Sequence, residues 1–363
     1  MAETDEDIYR KLQKHLDSMP IGFPATENGA EIRVLKAFFT PEEAKFATFL
    51  RFFPETAKTI WRRIKKTMDL SLEETQAMLK SMDDKGLLLH DSDPESGETL
   101  YLNAPLAIGF YEFSINNLDK KKVEAIEGYF ETFMKEFFLT GIPQMRTIPI
   151  DAAITPDMGV MAYDEVWNIF DQMKGPFAVA PCICVQEREI LGRKCEHELT
   201  ERCMTNSRWY IRHGHAREIT KEEARSILKK AQEDGLVVQP GNFKRSDFFC
   251  LCCGCCCGIL TNLKKLEKPA QLVATNHYSE VDPNNCTACA TCMDRCPMDA
   301  ITVEDVAVVN RDRCIGCGVC ISTCPADAIH LRRKAQLIEP PENLMDMYKK
   351  IMTKKTELRK SGK

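Results

Sequence analysis

Two runs of cysteine near the C-terminal end constrain the structure of this chain more than any other feature. Residues 286–297 read CTACATCMDRCP, and residues 314–325 read CIGCGVCISTCP. Each run has the spacing C-x2-C-x2-C-x3-C-P, and the second begins 28 residues after the first. The repeat continues beyond the cysteines, because MDAI at 298–301 corresponds to ADAI at 326–329. The pattern predicts a small domain made of two pseudo-symmetric halves.

This spacing is typical of [4Fe–4S] sites in which the fourth cysteine of each run binds the other cluster. Three closely spaced thiolates in a tight loop can face one cluster, so the fourth ligand has to come from the partner run. Pro297 and Pro325 turn the chain away after that fourth ligand. A pair of zinc sites is the alternative, but four cysteines followed by proline in each run argue against it. The resulting assignment is, for cluster I, Cys286, Cys289, Cys292 and Cys324, and for cluster II, Cys314, Cys317, Cys320 and Cys296.

Residues 280–332 resemble the two-[4Fe–4S] ferredoxin domain of bacteria, both in the two complete runs and in their separation. The resemblance implies a ferredoxin-like fold and electron transfer. In the second run, Gly316 and Gly318 allow the backbone to approach the cluster closely. The first run has Ala288 and Ala290 at the matching positions, and we expect its loop to be more crowded.

Ten more cysteines lie before this domain in two sets. Four occur between residues 182 and 203, and six occur within the stretch FFCLCCGCCCG at 248–258. Adjacent cysteines rarely have the geometry to pair as disulfides, and dense cysteine in a reduced compartment indicates metal or redox chemistry. We expect one or two additional iron–sulfur clusters here; a zinc knuckle and a patch of oxidisable thiols are the alternatives. The candidate ligands are Cys182, Cys184, Cys195, Cys203, Cys250, Cys252, Cys253, Cys255, Cys256 and Cys257.

The segment between the two cysteine sets predicts an ordered connection. Thr220 and Glu223 form a capping box, apolar residues then follow helical spacing, and Gly235 stands where a C-cap glycine belongs. Cys182 and Cys184 are two residues apart, so both side chains point the same way if the segment is extended. We therefore expect both sets to close on one common site. Basic residues that would offset thiolate charge interleave with the first set: Arg188, Arg193, Lys194 and Arg202.

The whole chain resembles a poorly characterised group of iron–sulfur proteins from anaerobes. The shared features are the C-x-C pair at 182–184, the CxCCGCCCG stretch at 250–258 and the C-terminal dicluster ferredoxin. The resemblance implies electron transfer without naming a substrate, and it agrees with the anaerobic host that so many thiols favour. Members of the group often carry Arg directly after the C-x-C pair, whereas this chain has Val185 there and Arg188 three residues later.

The first part of the chain has a different pattern. Between residues 41 and 113, three consecutive helical segments precede two strands around a turn rich in Pro, Gly and acidic residues. This order resembles the winged helix of many bacterial regulators. The helix that would enter a DNA groove, residues 71–85, is acidic at both ends, and the turn adds Asp91, Asp93 and Glu95. DNA binding needs basic side chains on phosphate, so we expect a packing or docking module. The counter-evidence is one basic cluster: Arg62, Arg63, Lys65 and Lys66.

These patterns together predict an α+β protein with five segments. The segments are a winged-helix-like domain at 1–118, a helical connector at 119–180, an α/β cysteine-rich region at 181–280, the 2[4Fe–4S] ferredoxin domain at 281–332 and a basic helical tail at 333–363.

Electron transfer to a redox partner protein or an oxidoreductase complex is the function that these features favour. Two alternatives stay open: an oxidoreductase whose CxCCGCCCG site does chemistry such as disulfide reduction, and a redox-sensing winged-helix regulator. The net charge of −5 gives no general nucleic-acid signature. The acidic, amphipathic N-terminus does not read as a secretory signal, and no apolar run is long enough to span a bilayer. We expect a cytoplasmic protein whose thiols stay reduced.

Overall fold

The computed structural model describes residues 4–92 and 96–361. It divides the chain into two units, Met1–Phe137 and Phe138–Lys363, each with its own core. Asp93 and Glu95 of the predicted turn lie outside the described residues. Helices and strands occur in both units, in agreement with the predicted α+β class.

The first unit is mainly helical, and several of its helices begin at residues whose side chains cap them. The side chains of Thr4, Thr40 and Ser71 each accept a hydrogen bond from a backbone N–H of the first turn, and each forms a complete capping box. Apolar side chains such as Leu12, Phe46 and Leu79 are fully buried. The helices are α1 Asp5–Asp17, α2 Ala30–Phe38, α3 Pro41–Ala47, α4 Ala57–Ile64, α5 Leu72–Asp84 and α6 Lys120–Phe138.

A small antiparallel sheet follows α5. Its strands are β1 Glu55–Thr56, β2 Leu88–Ser92 and β3 Thr99–Asn103, in the order β1-β3-β2. The three helical segments and the two strands predicted between residues 41 and 113 correspond to α3, α4, α5, β2 and β3. The short strand β1 was not predicted, because two residues leave no detectable period in the sequence. The winged-helix assignment of this unit stays a prediction.

The second unit is built on a five-stranded antiparallel sheet. Its strand order is β6-β4-β5-β8-β7, so β5 and β8, which carry cysteines, lie side by side. The strands are β4 Phe177–Pro181, β5 Glu201–Thr205, β6 Arg217–Ile219, β7 Val237–Pro240 and β8 Phe248–Cys252. The helices of this region are α7 Val166–Gln172, α8 Ile183–Ile190, α9 Arg208–Arg212, α10 Lys221–Glu233 and α11 Gly258–Lys264.

Helix α10 is the ordered connection predicted between the two cysteine sets. Thr220 accepts a hydrogen bond from the backbone N–H of Glu223 at 3.1 Å. The carboxylate of Glu223 pairs with Arg217 at 2.8 Å, so the structure shows the cap at Thr220 but not the reciprocal bond of the predicted capping box. Gly235 adopts a left-handed φ of 83°, and the N–H of Leu236 donates to the carbonyl of Ala231, which closes the helix.

The last part of the second unit contains two short antiparallel pairs. Residues of β9 pair with β12, and β10 forms a hairpin with β11. The elements are β9 His277–Val281, α12 Thr291–Arg295, β10 Ile301–Val303, β11 Ala307–Val309 and β12 Ile329–Arg333. Ile301, Ala307 and Ile329 form a buried cluster with Cys292 and Cys320, so apolar packing and thiols share one core.

The C-terminal helix α13, Leu344–Lys360, lies in the predicted basic helical tail, and one face of it is buried. Met347, Ile351 and Lys355 are buried, and the hydroxyl of Tyr348 accepts a hydrogen bond from Gln144 at 3.0 Å. The basic composition obscured these apolar positions, which recur at helical spacing. Among the described helices, none is both long and apolar enough to cross a membrane.

Candidate metal centre

The two cysteine runs line two separate pockets. The first pocket contains Cys286, Cys289 and Cys292 of the first run together with Cys324 of the second. Ala307 and Ile329, from the buried apolar cluster, complete part of its wall, so this pocket offers four thiols in a largely apolar surrounding.

The second pocket mirrors the first. It contains Cys314, Cys317 and Cys320 of the second run together with Cys296 of the first. Each pocket therefore holds three cysteines of one run and the fourth cysteine of the other. We call them pocket I and pocket II.

Backbone amides point at sulfur in both pockets. The N–H of Ala307 donates to Cys286 at 3.3 Å, and the N–H of Ala328 donates to Cys324 at 3.2 Å. In pocket II, the N–H groups of Ala300 and Ser279 donate to Cys296 and Cys314 at 3.3 and 3.4 Å. Such bonds favour the thiolate that metal binding requires, and they tune the potential of a bound cluster.

The cysteine loops use a left-handed backbone at matching positions. In the second run, Gly316 and Gly318 have φ values of 67° and 72°. In the first run, Ala288 and Ala290 adopt 53° and 63°, a conformation that costs an L-residue energy. A Cβ on Gly316 would lie 2.2 Å from the carbonyl oxygen of His277, so the second loop has no room for alanine there. The first loop therefore differs from the second in the energy of its backbone, and its greater crowding stays a prediction.

The two pockets differ in exposure. Cys289 of pocket I is exposed, whereas Cys314, Cys317 and Cys320 of pocket II are all buried. A hydrogen bond with Thr291 lowers the pKa of Cys289. Burial raises the pKa of Cys320 to about 12, although the hydroxyl of Ser279 lies 3.5 Å from its sulfur. Pocket II is therefore the more desolvated of the two.

Four of the ten remaining thiols form a tight group that we call the thiol quartet: Cys195, Cys253, Cys255 and Cys256. Their Sγ atoms all lie within 4.8 Å of one another. The Sγ of Cys195 is 3.8 Å from those of both Cys253 and Cys255, and the Sγ atoms of Cys255 and Cys256 are 3.7 Å apart. Cys195 comes from the loop after α8, and the other three come from the turn after β8.

Arg202 binds this quartet directly. Its Nη1 donates to the sulfur of Cys253 at 3.1 Å, and its Nη2 donates to the sulfur of Cys195 at 3.2 Å. The side chain is only 1% exposed, and it also donates to the carbonyl oxygens of Leu199 and His197. The sequence alone did not distinguish Arg202 from Arg188, Arg193 and Lys194. Its position directly before Cys203, in β5, is the feature that could have identified it.

The pKa of Cys195 is lowered in this setting. Burial opposes ionisation of the thiol, but hydrogen bonds from the His197 backbone and from Arg202 outweigh it. The quartet therefore already contains one sulfur that is disposed to bind a cation.

The other six thiols form a second group, which we call the six-thiol group: Cys182, Cys184, Cys203, Cys250, Cys252 and Cys257. Cys203 faces Cys250 across the β5–β8 pair. Cys252 is in hydrogen-bond contact with both Cys250 and Cys257, and Cys184 is in contact with both Cys182 and Cys257. The hydrogen bond with Cys250 and burial raise the pKa of Cys252 well above the usual thiol value.

The structure brings the two cysteine sets together but sorts them into two groups. Each group takes members from both sets, whereas the sequence predicted one common site. The local geometry of the first pair also differs from the extended segment considered in the sequence. Cys182 is the N-cap of α8 and Cys184 lies in its first turn, so a helix start brings the two sulfurs together. Strand β4 ends at Pro181 and α8 begins at Ile183, a boundary that the sequence pattern did not predict.

The ferredoxin-like part and the thiol groups touch within the second unit. A Cβ on Gly254 would lie 2.8 Å from the carbonyl oxygen of Pro297, so the turn between Cys253 and Cys255 packs against the residue that follows Cys296. Lys264 pairs with Asp299 at 3.1 Å beside this contact. The pocket II segment and the cysteine turn are thus held against each other.

Comparison with known proteins identifies the last part of the chain. Residues 279–325 match the family model of the 4Fe-4S dicluster domain, which includes both cysteine runs. No curated protein and no solved structure matches the chain. The donor sets of pockets I and II, four sulfurs each with amides directed at them, fit [4Fe–4S] clusters. The chain therefore contains a C-terminal ferredoxin-type domain for [4Fe–4S] clusters.

Proposed function

We propose that this protein carries electrons between its ferredoxin-type domain, its cysteine-rich region and a redox partner protein. Cysteines 286, 289, 292 and 324 would hold one [4Fe–4S] cluster, and cysteines 314, 317, 320 and 296 would hold the other. Each such cluster exchanges one electron when bound. The observation that carries the proposal is the packing of Gly254 against Pro297.

That packing supports a short internal route. Pro297 directly follows Cys296 in the segment that lines pocket II, and Gly254 lies in the turn between Cys252 and Cys257, both members of the six-thiol group. Arg313 braces the same region, because it donates to the carbonyls of Met298 and Lys264 at 3.0 Å each. This packing holds the pocket II segment against the segment that carries Cys252 and Cys257 of the six-thiol group, which supports an internal path between those two sites.

The test uses two matched variants of the fourth cysteines. We expect Cys296→Ala to abolish the cluster signal of pocket II in the EPR spectrum of the reduced, anaerobically prepared protein. Cys324→Ala is the control, and it should abolish the signal of pocket I instead. Loss of the pocket I signal in the Cys296 variant would show that each run binds its own cluster and would contradict the crossed assignment.

Iron and sulfide analysis tests the wider proposal. Ten cysteines outside the two pockets lead us to expect more than eight iron atoms per chain, with acid-labile sulfide in similar amount. Eight irons or fewer would restrict the electron-carrying groups to the ferredoxin-type domain.

A second candidate is an oxidoreductase that reduces a disulfide at the six-thiol group. Six thiols exceed the four that one [4Fe–4S] cluster uses, so two could act on a substrate. Turnover of a small disulfide by the pre-reduced protein, and its loss in Cys203→Ser, would favour this candidate over a pure carrier.

We further propose that the first unit is a winged-helix-like docking module that does not bind DNA. The candidate reading helix α5 begins with Glu73 and Glu74 and ends with Asp83 and Asp84, and Lys80 is paired with Asp84 at 2.7 Å. Such a helix repels phosphate rather than neutralising it. A mobility-shift assay of the whole protein should show no tight binding of duplex DNA at physiological salt. Tight binding that weakens steeply with salt would instead support a redox-sensing regulator.

A further inference from the structure

The spacing of the thiol quartet differs from that of a cluster-binding pocket. A [4Fe–4S] cluster binds each cysteine at a different iron, so the cluster core holds the four sulfurs apart. A single tetrahedral ion with metal–sulfur bonds of about 2.3 Å sets its four sulfurs about 3.8 Å from one another. Three of the six Sγ–Sγ separations in the quartet are 3.8, 3.8 and 3.7 Å, and all six are within 4.8 Å.

Pockets I and II provide an internal comparison. Among the described residues, the quartet is the one all-cysteine group whose Sγ atoms lie within 4.8 Å of one another. In neither pocket I nor pocket II do all four sulfurs lie this close to one another. The same chain therefore presents two kinds of four-thiol arrangement, one wide and one tight.

The charge around the quartet also fits a single divalent ion. Four thiolates around a divalent cation carry a net charge of −2, which is costly to bury. Arg202 offsets part of this charge through its two hydrogen bonds to sulfur, at 3.1 and 3.2 Å. Such bonds from outside the ligand shell also orient metal ligands.

We propose that Cys195, Cys253, Cys255 and Cys256 bind one four-coordinate Zn²⁺ ion, separate from the iron–sulfur sites. A closed site with four cysteine ligands and no open position is typical of structural zinc. The ion would tie the loop around Cys195 to the turn after β8, nearly 60 residues later in the chain. This site does not depend on the electron-transfer proposal.

If the thiol quartet binds zinc, the six-thiol group is the remaining place for an additional iron–sulfur cluster in this region. Its members lie on β5, on β8 and at the start of α8 and α11, and they share contacts in a chain rather than in one tight tetrahedron. The ten thiols would thus serve two metals with different functions.

The test is metal analysis of the full-length protein, purified without oxygen or added metal, together with X-ray absorption at the zinc edge. We expect one zinc per chain, bound by four sulfurs at about 2.3 Å. Absence of zinc, a first shell with nitrogen or oxygen, or iron at this site would overturn the proposal. The absorption measurement uses the wild-type protein, so it stands even if a variant fails to fold.

Two matched variants then separate the groups. Cys255→Ser should remove the zinc and leave iron, sulfide and the EPR signals of pockets I and II unchanged. Cys203→Ser, in the six-thiol group, should lower the iron content and retain the zinc. Loss of iron with retained zinc in the Cys255 variant would overturn the division. Missing EPR signals from pockets I and II in the wild type would count against the electron-transfer proposal alone.

Discussion

At the scale of single residues, the first cysteine run differs from the second at the two positions that adopt a left-handed backbone. Ala288 and Ala290 stand where the second run has Gly316 and Gly318, and all four have positive φ. The sequence repeat predicted that these positions are equivalent. It did not reveal the conformation, because φ depends on how the loop closes around its pocket.

The substitution Ala290→Gly should stabilise the protein. A left-handed φ costs alanine about 1–2 kcal/mol, and glycine avoids this cost. Glycine also gives the unfolded chain more entropy, which offsets part of the stabilisation and leaves about 1 kcal/mol. Gly318→Ala should do the opposite, since its new Cβ would lie 2.6 Å from the Cβ of Ala153. Anaerobic thermal unfolding followed by circular dichroism measures both effects. A lower midpoint for Ala290→Gly would contradict the argument.

His277 should make stability depend on pH. Burial lowers its pKa to about 4 from the usual 6.5, helped by the charges of Arg333 and Lys334. Between these two pKa values the unfolded chain binds a proton that the folded protein does not, so the free energy of unfolding falls as pH falls from 6.5 to 4. The loss amounts to about 3 kcal/mol.

The variant His277→Gln isolates this effect from the acid lability of the metal sites, which both proteins share. Between pH 7 and 5, the free energy of unfolding should fall more for the wild type than for the variant. Denaturant titration at each pH measures this difference. Parallel pH profiles would show that His277 is not the titrating group.

At the scale of secondary structure, local sequence patterns predicted the elements well wherever a residue acts on its neighbours in the chain. Helix α10, its cap at Thr220 and the left-handed Gly235 all follow from spacing and capping rules. The grouping of the thiols could not be predicted in this way. Cys195 meets Cys253 because β5 pairs with β8, and that pairing joins residues more than 40 positions apart. The partnership of Arg202 with two sulfurs depends on the same pairing.

The turn after β8 offers a test of packing between elements. Gly254→Ala would place a Cβ 2.8 Å from the carbonyl oxygen of Pro297, and backbone on both sides has to shift. We expect a loss of about 1–3 kcal/mol in the free energy of unfolding, typical of overpacking. Gly128→Ala is the control, because this exposed helical position has open space and should gain about 0.5–1 kcal/mol. Equal effects of the two variants would argue against a tight contact at Gly254.

At the scale of the whole molecule, pockets I and II should differ in access to solutes. Cys289 is exposed, while three of the four thiols of pocket II are buried. A paramagnetic ion added to the reduced protein should therefore relax the EPR signal of the pocket I cluster more strongly. The variants Cys296→Ala and Cys324→Ala isolate the two signals. Equal relaxation of the two signals would contradict the proposed difference in access.

The exposure of Cys289 also has a chemical consequence in air. Oxidation of cysteine proceeds through sulfenic to sulfinic and sulfonic acids, and it begins at accessible sulfur with thiolate character. Thr291 lowers the pKa of Cys289, so this thiol combines both properties once it is released from metal. Oxygen damage should therefore begin in the 286–292 loop, and the first irreversible lesion should be found at Cys289 while the cysteines of the 314–320 loop are still intact.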